Sequence, residues 1–176
     1  MDKKRLIVGL GNPGKKYEST YHNVGFLAVS ALAGKSGLRL RRPGLRAKFQ
    51  IASAGGFFLA RPLTYMNESG QAVKAALAYL KLSPADLIVI HDEADLPAGR
   101  FKFASGGQSA GHKGIASVIH CLGTTDFSRL RIGVGQLQDP RLKAGDFVLR
   151  KIAPGDLEKI NSAIDQAIGE LESGSS

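Results

Sequence analysis

An apolar run that breaks into a glycine-rich turn constrains this chain more than any other stretch. Leu6-Ile7-Val8-Gly9-Leu10 is followed at once by Gly11-Asn12-Pro13-Gly14. A short apolar segment bounded by turn formers reads as a buried core strand, here over Leu6 to Leu10. The glycines then let the backbone reverse at angles that other residues avoid. Beyond the turn a polar segment delivers Asn12 and then His22 just ahead of a helix. A strand end that emits an amide and a histidine in quick succession is a good place to build a site.

Four familiar signatures occur along the chain, and each fails a physical requirement. Gly9 to Gly14 matches the dinucleotide fingerprint GxGxxG, but Pro13 removes an amide where pyrophosphate would need one. That fingerprint also needs an acid about 20 positions on, and no Asp or Glu occurs between Glu18 and Glu68. Gly34-Lys35-Ser36 resembles the end of a phosphate loop, yet the glycine required five positions earlier is Val29. Asp92-Glu93-Ala94-Asp95 spells a helicase motif without the phosphate loop that must accompany it. Gly107-Gln108-Ser109-Ala110-Gly111 fits the nucleophile elbow GxSxG, but no acid separates Ser109 from the later His112 and His120. The strand before it is also too polar to be central.

The net charge of +9 is unevenly placed. The acid-free stretch from Ser19 to Asn67 holds Lys35, Arg39, Arg41, Arg42, Arg46, Lys48 and Arg61, while acids recur toward the end of the chain. A one-sided basic surface suits a polyanion such as nucleic acid. The single Cys121 excludes an intramolecular disulfide and a cysteine-rich metal site, and its apolar surroundings suggest a packed thiol. No apolar run approaches membrane-spanning length and no signal peptide opens the chain, so a cytoplasmic protein is expected.

Helical spacing follows the turn from Asn23 to Lys35, with Val24, Leu27, Ala28, Ala31 and Leu32 on one side. Lys48 to Ser53 and Phe57 to Arg61 form a hairpin around Gly55-Gly56. Asn67 is placed to cap a helix that runs to Lys81. Leu87 to Ile90 is a second buried strand ending in His91-Asp92, and Arg100 to Phe103 alternates as a half-exposed strand does. A flexible glycine-rich loop ending at Gly114 leads into a helix over Ile115 to Leu122, then a strand over Leu130 to Val134 and a short apolar segment at Phe147-Val148-Leu149. Pro154 opens a final amphipathic helix with Ile160, Ala163, Ile164, Ala167, Ile168 and Leu171 on its buried stripe, and residues 170–176 are expected to fray. At 176 residues the elements fit one α/β domain. The expected architecture is a three-layer sandwich in which helices flank a mixed, twisted β-sheet.

Taken together, the motifs resemble the bacterial peptidyl-tRNA hydrolase family. The resemblance rests on Gly9 to Gly14 with Tyr17, His22-Asn23-Val24-Gly25, and Thr64-Tyr65-Met66-Asn67-Glu68-Ser69-Gly70. It continues through His91-Asp92-Glu93-Ala94-Asp95-Leu96-Pro97, the glycine loop, and Leu130-Arg131-Ile132-Gly133-Val134-Gly135. Each motif alone is weak, whereas their joint order and spacing are specific. The resemblance implies a cytosolic, monomeric enzyme without cofactor or metal that cleaves the ester between a peptide and the terminal ribose of tRNA. Its alternative is a non-catalytic RNA-binding relative, which would be free to lose His22 or Asp92.

The residues suit that chemistry. Ester hydrolysis needs an activated water, and histidine is the side chain tuned for the task near neutral pH. His22 is the expected base and Asp92 its orienting carboxylate. Asn12 and Asn67 supply amides for the peptide backbone, and Asn67 a donor for the developing oxyanion. Tyr17 and Met66 are expected to line the peptide channel, with Lys113 beside them. Lys102, Lys113 and Arg131 are the expected partners of tRNA phosphates. This chain departs from the family pattern in three places. Lys113 stands where the family usually has asparagine, Ala104 where it often has a basic residue, and the C-terminal helix lacks the usual closing segment.

Overall fold

The computed structural model describes residues 4–135 and 142–174. Strand β1 (Arg5–Gly9) leads through the glycine turn and two 3₁₀ turns to helix α1 (Val24–Lys35). The hairpin β2 (Phe49–Ala54) and β3 (Phe57–Pro62) follows, then a 3₁₀ turn at Met66–Glu68 and helix α2 (Ser69–Leu80). Next come β4 (Leu87–Glu93), β5 (Phe101–Ser105), α3 (Lys113–Leu122) and β6 (Ser128–Gly133). A short α4 (Ala144–Phe147) and a long α5 (Pro154–Glu172) end the chain.

The strands form one mixed sheet in the order β2-β3-β1-β4-β6-β5. Neighbours from β3 to β6 are parallel, and β2 and β5 pair antiparallel at the two edges. Parallel strands must be buried on both faces, which is why β1 and β4 are so uniformly apolar. One face packs Ile7, Ile88, Ile90 and Leu130 against α1 and α5. The other packs Leu6, Val8, Leu87 and Val89 against α2 and α3. The three-layer α/β sandwich and mixed sheet expected from the sequence are present. No helix among the described residues is long and apolar enough to cross a membrane.

Glycines set how closely α1 approaches the sheet. A Cβ on Gly9 would collide with the Gly25 carbonyl, and one on Gly25 would strike the backbone of Leu10 and Ile90. The helix therefore rests directly on the ends of β1 and β4, and the turn before it, Tyr21–Asn23, lies buried at that edge. The dinucleotide reading fails here for a visible reason, since no helix opens inside the glycine motif.

Several boundaries differ from expectation. Pairing with β6 carries β4 through His91 and Asp92 to Glu93, so Asp92 sits within a strand. Asn67 does not cap α2, because a 3₁₀ turn intervenes and Glu68 occupies the cap position without a side-chain bond. Helix α3 starts at Lys113, with His112 as its cap. Leu27 and Ala31 are only partly buried because Gly25, Val29 and Ala33 occupy the sheet-facing stripe instead. Cys121 is partly exposed rather than packed in the core. Helix α5 extends to Glu172 with Leu171 buried, and Ser175 and Ser176 lie outside the described residues.

Candidate active site

The edge of the sheet where β1 and β4 end carries a pocket of about 460 Å³. His22 reaches it from the buried turn before α1, held by its backbone N–H donating to the Val148 carbonyl at 2.8 Å. The His22 ring places Nδ1 at 2.9 Å from each oxygen of Asp92. An ionised carboxylate only accepts, so Nδ1 carries the proton and Nε2 keeps its lone pair. A histidine held in that tautomer is ready to take a proton at Nε2.

A second imidazole meets the same carboxylate. His112 Nε2 donates to Asp92 Oδ1 at 2.8 Å, while His112 Nδ1 accepts from the Ile115 N–H at 3.2 Å as it caps α3. Burial would raise the Asp92 carboxyl, but the charges and hydrogen bonds of His112 and His22 prevail and hold it well below the usual carboxylate range. His91 lies behind it, donating from Nδ1 to the Asp92 carbonyl at 2.8 Å. Its Nε2 is buried without a hydrogen-bond partner among the described residues. Burial first, and then His112, push the His91 imidazole down to about 3, so it stays neutral.

Asn12 and Asn23 brace the glycine turn reciprocally. The Asn12 N–H donates to Asn23 Oδ1 at 2.8 Å, and Asn23 Nδ2 donates to the Asn12 carbonyl at 2.9 Å. Asn12 Oδ1 accepts from the Met66 N–H at 2.7 Å. Its Nδ2 has no hydrogen bond among the described residues and stays available in a pocket that Asn12 lines. Asn67, released from the capping duty expected of it, is exposed and also lines the pocket. Tyr17 and Tyr65 meet edge to face at the rim, ring centres 6.4 Å apart.

Asn12, Tyr17, His22, Met66, Asn67, Asp92 and Lys113 therefore border one pocket. Lys102 and Arg131 do not. They stand opposite each other on β5 and β6, and Arg131 lies 3.8 Å from Glu93 in a partly buried ion pair. Ala104 faces Arg129 in the same ladder, so the missing basic residue belongs beside a buried arginine. Gly114, which reads in sequence as loop freedom, is buried in α3, where a Cβ would meet Met66 and Leu10.

Three contributors escaped the sequence reading. His112 carried only the signal of a histidine before a helix, and Asn23 that of an amide beside His22. Arg129 is fully buried, stacks 5.0 Å over Phe127, and donates to the carbonyls of Gln108 and Gly107. It thereby ties down the loop that carries His112. The ligand atoms of His22, Asp92 and His112 lie within 4.8 Å of one another, close enough for a metal. In this arrangement both imidazoles spend a proton on the carboxylate, and the other His112 nitrogen accepts from backbone. A cation would have to displace those bonds.

A mixed sheet with helices on both faces makes this an α/β protein whose pocket is lined by a carboxylate-bound histidine. The family model for peptidyl-tRNA hydrolase matches residues 6–175. A peptidyl-tRNA hydrolase from an Exiguobacterium species is 43% identical over 93% of this chain and 89% of its own length. One from Lactobacillus delbrueckii subsp. bulgaricus is 43% identical over 97% of this chain and 94% of its own. The crystal structure of peptidyl-tRNA hydrolase from Acinetobacter baumannii superposes with a TM-score of 0.88 at 33% identity, covering 98% and 88% of the two chains. The chain belongs to the peptidyl-tRNA hydrolase family.

Proposed function

We propose that this chain hydrolyses the ester joining a peptide to the terminal ribose of tRNA, with His22 activating the water. His22 Nε2 removes a proton from water as the oxygen attacks the ester carbonyl. The same proton then passes to the departing ribose oxygen, so that a free tRNA end leaves with the peptide's carboxylic acid, which gives its own proton to solvent to become the carboxylate. Asp92 holds the ring by Nδ1 and stabilises the imidazolium while it lasts. Asn67 and the Asn12 amide donate to the peptide and to the developing oxyanion. Removing one such donor costs roughly 2.7–4 kcal/mol of transition-state stabilisation. Tyr17 and Met66 border the channel for the peptide, and Lys102, Lys113 and Arg131 meet tRNA phosphates. The protein works as a monomer in the cytoplasm, without a cofactor.

The observation that carries this reading is the buried His22–Asp92 pair, with the far ring nitrogen left for chemistry. A relative that only bound RNA would gain nothing from a carboxylate kept ionised beneath two imidazoles. The test is release of labelled peptide from a model peptidyl-tRNA by the wild-type protein and by His22→Ala. Release by the first alone is expected. Retention of RNA by both, with release by neither, would leave the binding-only alternative.

A further inference from the structure

The basic stretch that stood out in the sequence takes a definite place in the fold. Arg41 and Ile51 exchange backbone hydrogen bonds of 2.9 and 2.8 Å, adding an antiparallel bridge outside β2. Because β2 runs opposite to β3, the turn from Arg42 to Lys48 must project at the end where β3 and β1 finish. The pocket opens at that same end. Arg41, Arg42, Arg46 and Lys48 are all exposed there. Lys48 is steadied by Gln71 at 2.6 Å, and Arg42 Nε by the Ala47 carbonyl at 2.8 Å. Among the described residues none of the four is ion-paired, and no acid occurs from Ser19 to Asn67 to neutralise them.

The register gives the spacing. Arg41, Ile51, Ala60 and Val8 form one row across the sheet, so the turn stands three strand spacings, roughly 14 Å, to one side of β1. On the other side Lys102 and Arg131 lie in a row with His91 of β4. The sheet thus carries cations to both sides of β1, the turn beyond β2 on one and the pair on β6 and β5 on the other. They lie more than a Debye length of about 10 Å apart, so each must find its own phosphates.

We propose that the turn from Arg41 to Lys48 is a second contact for the phosphate backbone of the substrate's tRNA, away from the ester itself. The inference rests on the peptidyl-tRNA reading above. Its cations act as point charges along a stem, adding affinity and salt dependence without touching the reacting atoms.

The test compares the triple variant Arg41→Gln, Arg42→Gln, Arg46→Gln with Lys35→Gln, Lys81→Gln, which removes cations from the opposite end of the sheet. Both are assayed on a full-length model peptidyl-tRNA and on a peptidyl ester of a short 3′-terminal oligonucleotide. The triple variant should lose at least tenfold in kcat/KM on the full-length substrate through KM. Its log–log salt slope should become shallower by about one unit for each phosphate that is no longer neutralised. Its activity on the short ester should match wild type, and the control variant should be unaffected on both. Equal behaviour of triple and control, or equal loss on both substrates, would overturn the proposal. Should the wild type release no peptide at all, the catalytic reading falls, and affinity of the triple variant for uncharged tRNA then decides the surface. Leu45 is 92% exposed at the tip of the turn and would suit a membrane. Loss of binding to phosphatidylglycerol vesicles with tRNA affinity unchanged would overturn the RNA assignment.

Discussion

The two sides of the pocket are built on opposite principles. On one side Asn12, His22 and Asp92 belong to the strand ends and the start of α1, where glycines allow near contact and a reciprocal pair of amide bonds braces the turn. On the other, a loop from Gly106 to His112 passes through positive φ at Gly106, Gly107, Ala110 and Gly111. Ala110, at φ 46°, bears a left-handed conformation that costs a non-glycine residue about 1–2 kcal/mol. That side is held by the Arg129 tethers and by the His112 bond to Asp92. The Asp92 carboxylate accepts from both sides, from His22 and from His112. His22 is thus seated in packed core, while the facing wall of the pocket hangs from a few polar bonds.

The largest effect should follow from breaking the rigid side. His22→Ala should lower turnover by about 10²- to 10⁴-fold, the usual worth of a positioned general base, with tRNA affinity retained. Near wild-type release from that variant would empty the comparison. Asp92→Asn should fall less far in rate, because the imidazole remains but loses its orienting charge. Asp92 also links the two sides to pH. A carboxyl held low in the folded state stabilises above its ordinary value near 4 and loses that contribution as pH falls through the folded value. Acid titration of Tm should therefore drop more steeply for wild type than for Asp92→Asn.

A milder break targets the loop side. Arg129→Lys keeps the charge but cannot span both the Gln108 and Gly107 carbonyls, and one charge-assisted bond is worth about 1.5–3 kcal/mol. KM should rise roughly tenfold with kcat nearly held, and hydrogen exchange should quicken at amides 106–112 alone. Global acceleration of exchange would make Arg129 a core residue of the fold instead.

His91 sharpens the contrast from behind. Its folded value near 3 lies below the ordinary 6.5, so the unfolded chain binds the extra proton between those values and stability declines as pH falls from 6.5 to about 3. His91→Gln should flatten that part of the Tm profile, and an unchanged slope would remove His91 from the account. The smallest effect concerns Lys113. If it serves phosphate, Lys113→Asn should make the salt slope shallower by about one unit while saturated turnover stays level. A collapse of turnover with affinity intact would move Lys113 to the chemistry.

The strands and helices that build the rigid side were legible because uniform apolar runs and a 3.6-residue stripe are local signals. All six residues read as the buried stripe of α5, from Ile160 to Leu171, are buried. The family resemblance likewise singled out His22 and Asp92, 70 residues apart in sequence. The loop side was hardly legible. His112 and Arg129 matter through partners 20 and 21 residues away, and a single sequence does not display a partner.

The chain's own order of residues determined an α/β sandwich, a glycine turn that emits an amide and a histidine, and an acid-free basic stretch. Those follow from local backbone preference and from which side chains leave water. Tertiary structure alone decided that β4 continues through Asp92, since pairing with β6 extends a strand past its apolar run. It also turned Gly114 from apparent freedom into close packing, and made Asp92 the acceptor of two histidines rather than one. The basic turn came to the pocket's end of the sheet by the antiparallel register of β2. Proximity between distant residues is set by register and packing, and those exist only once the chain has folded.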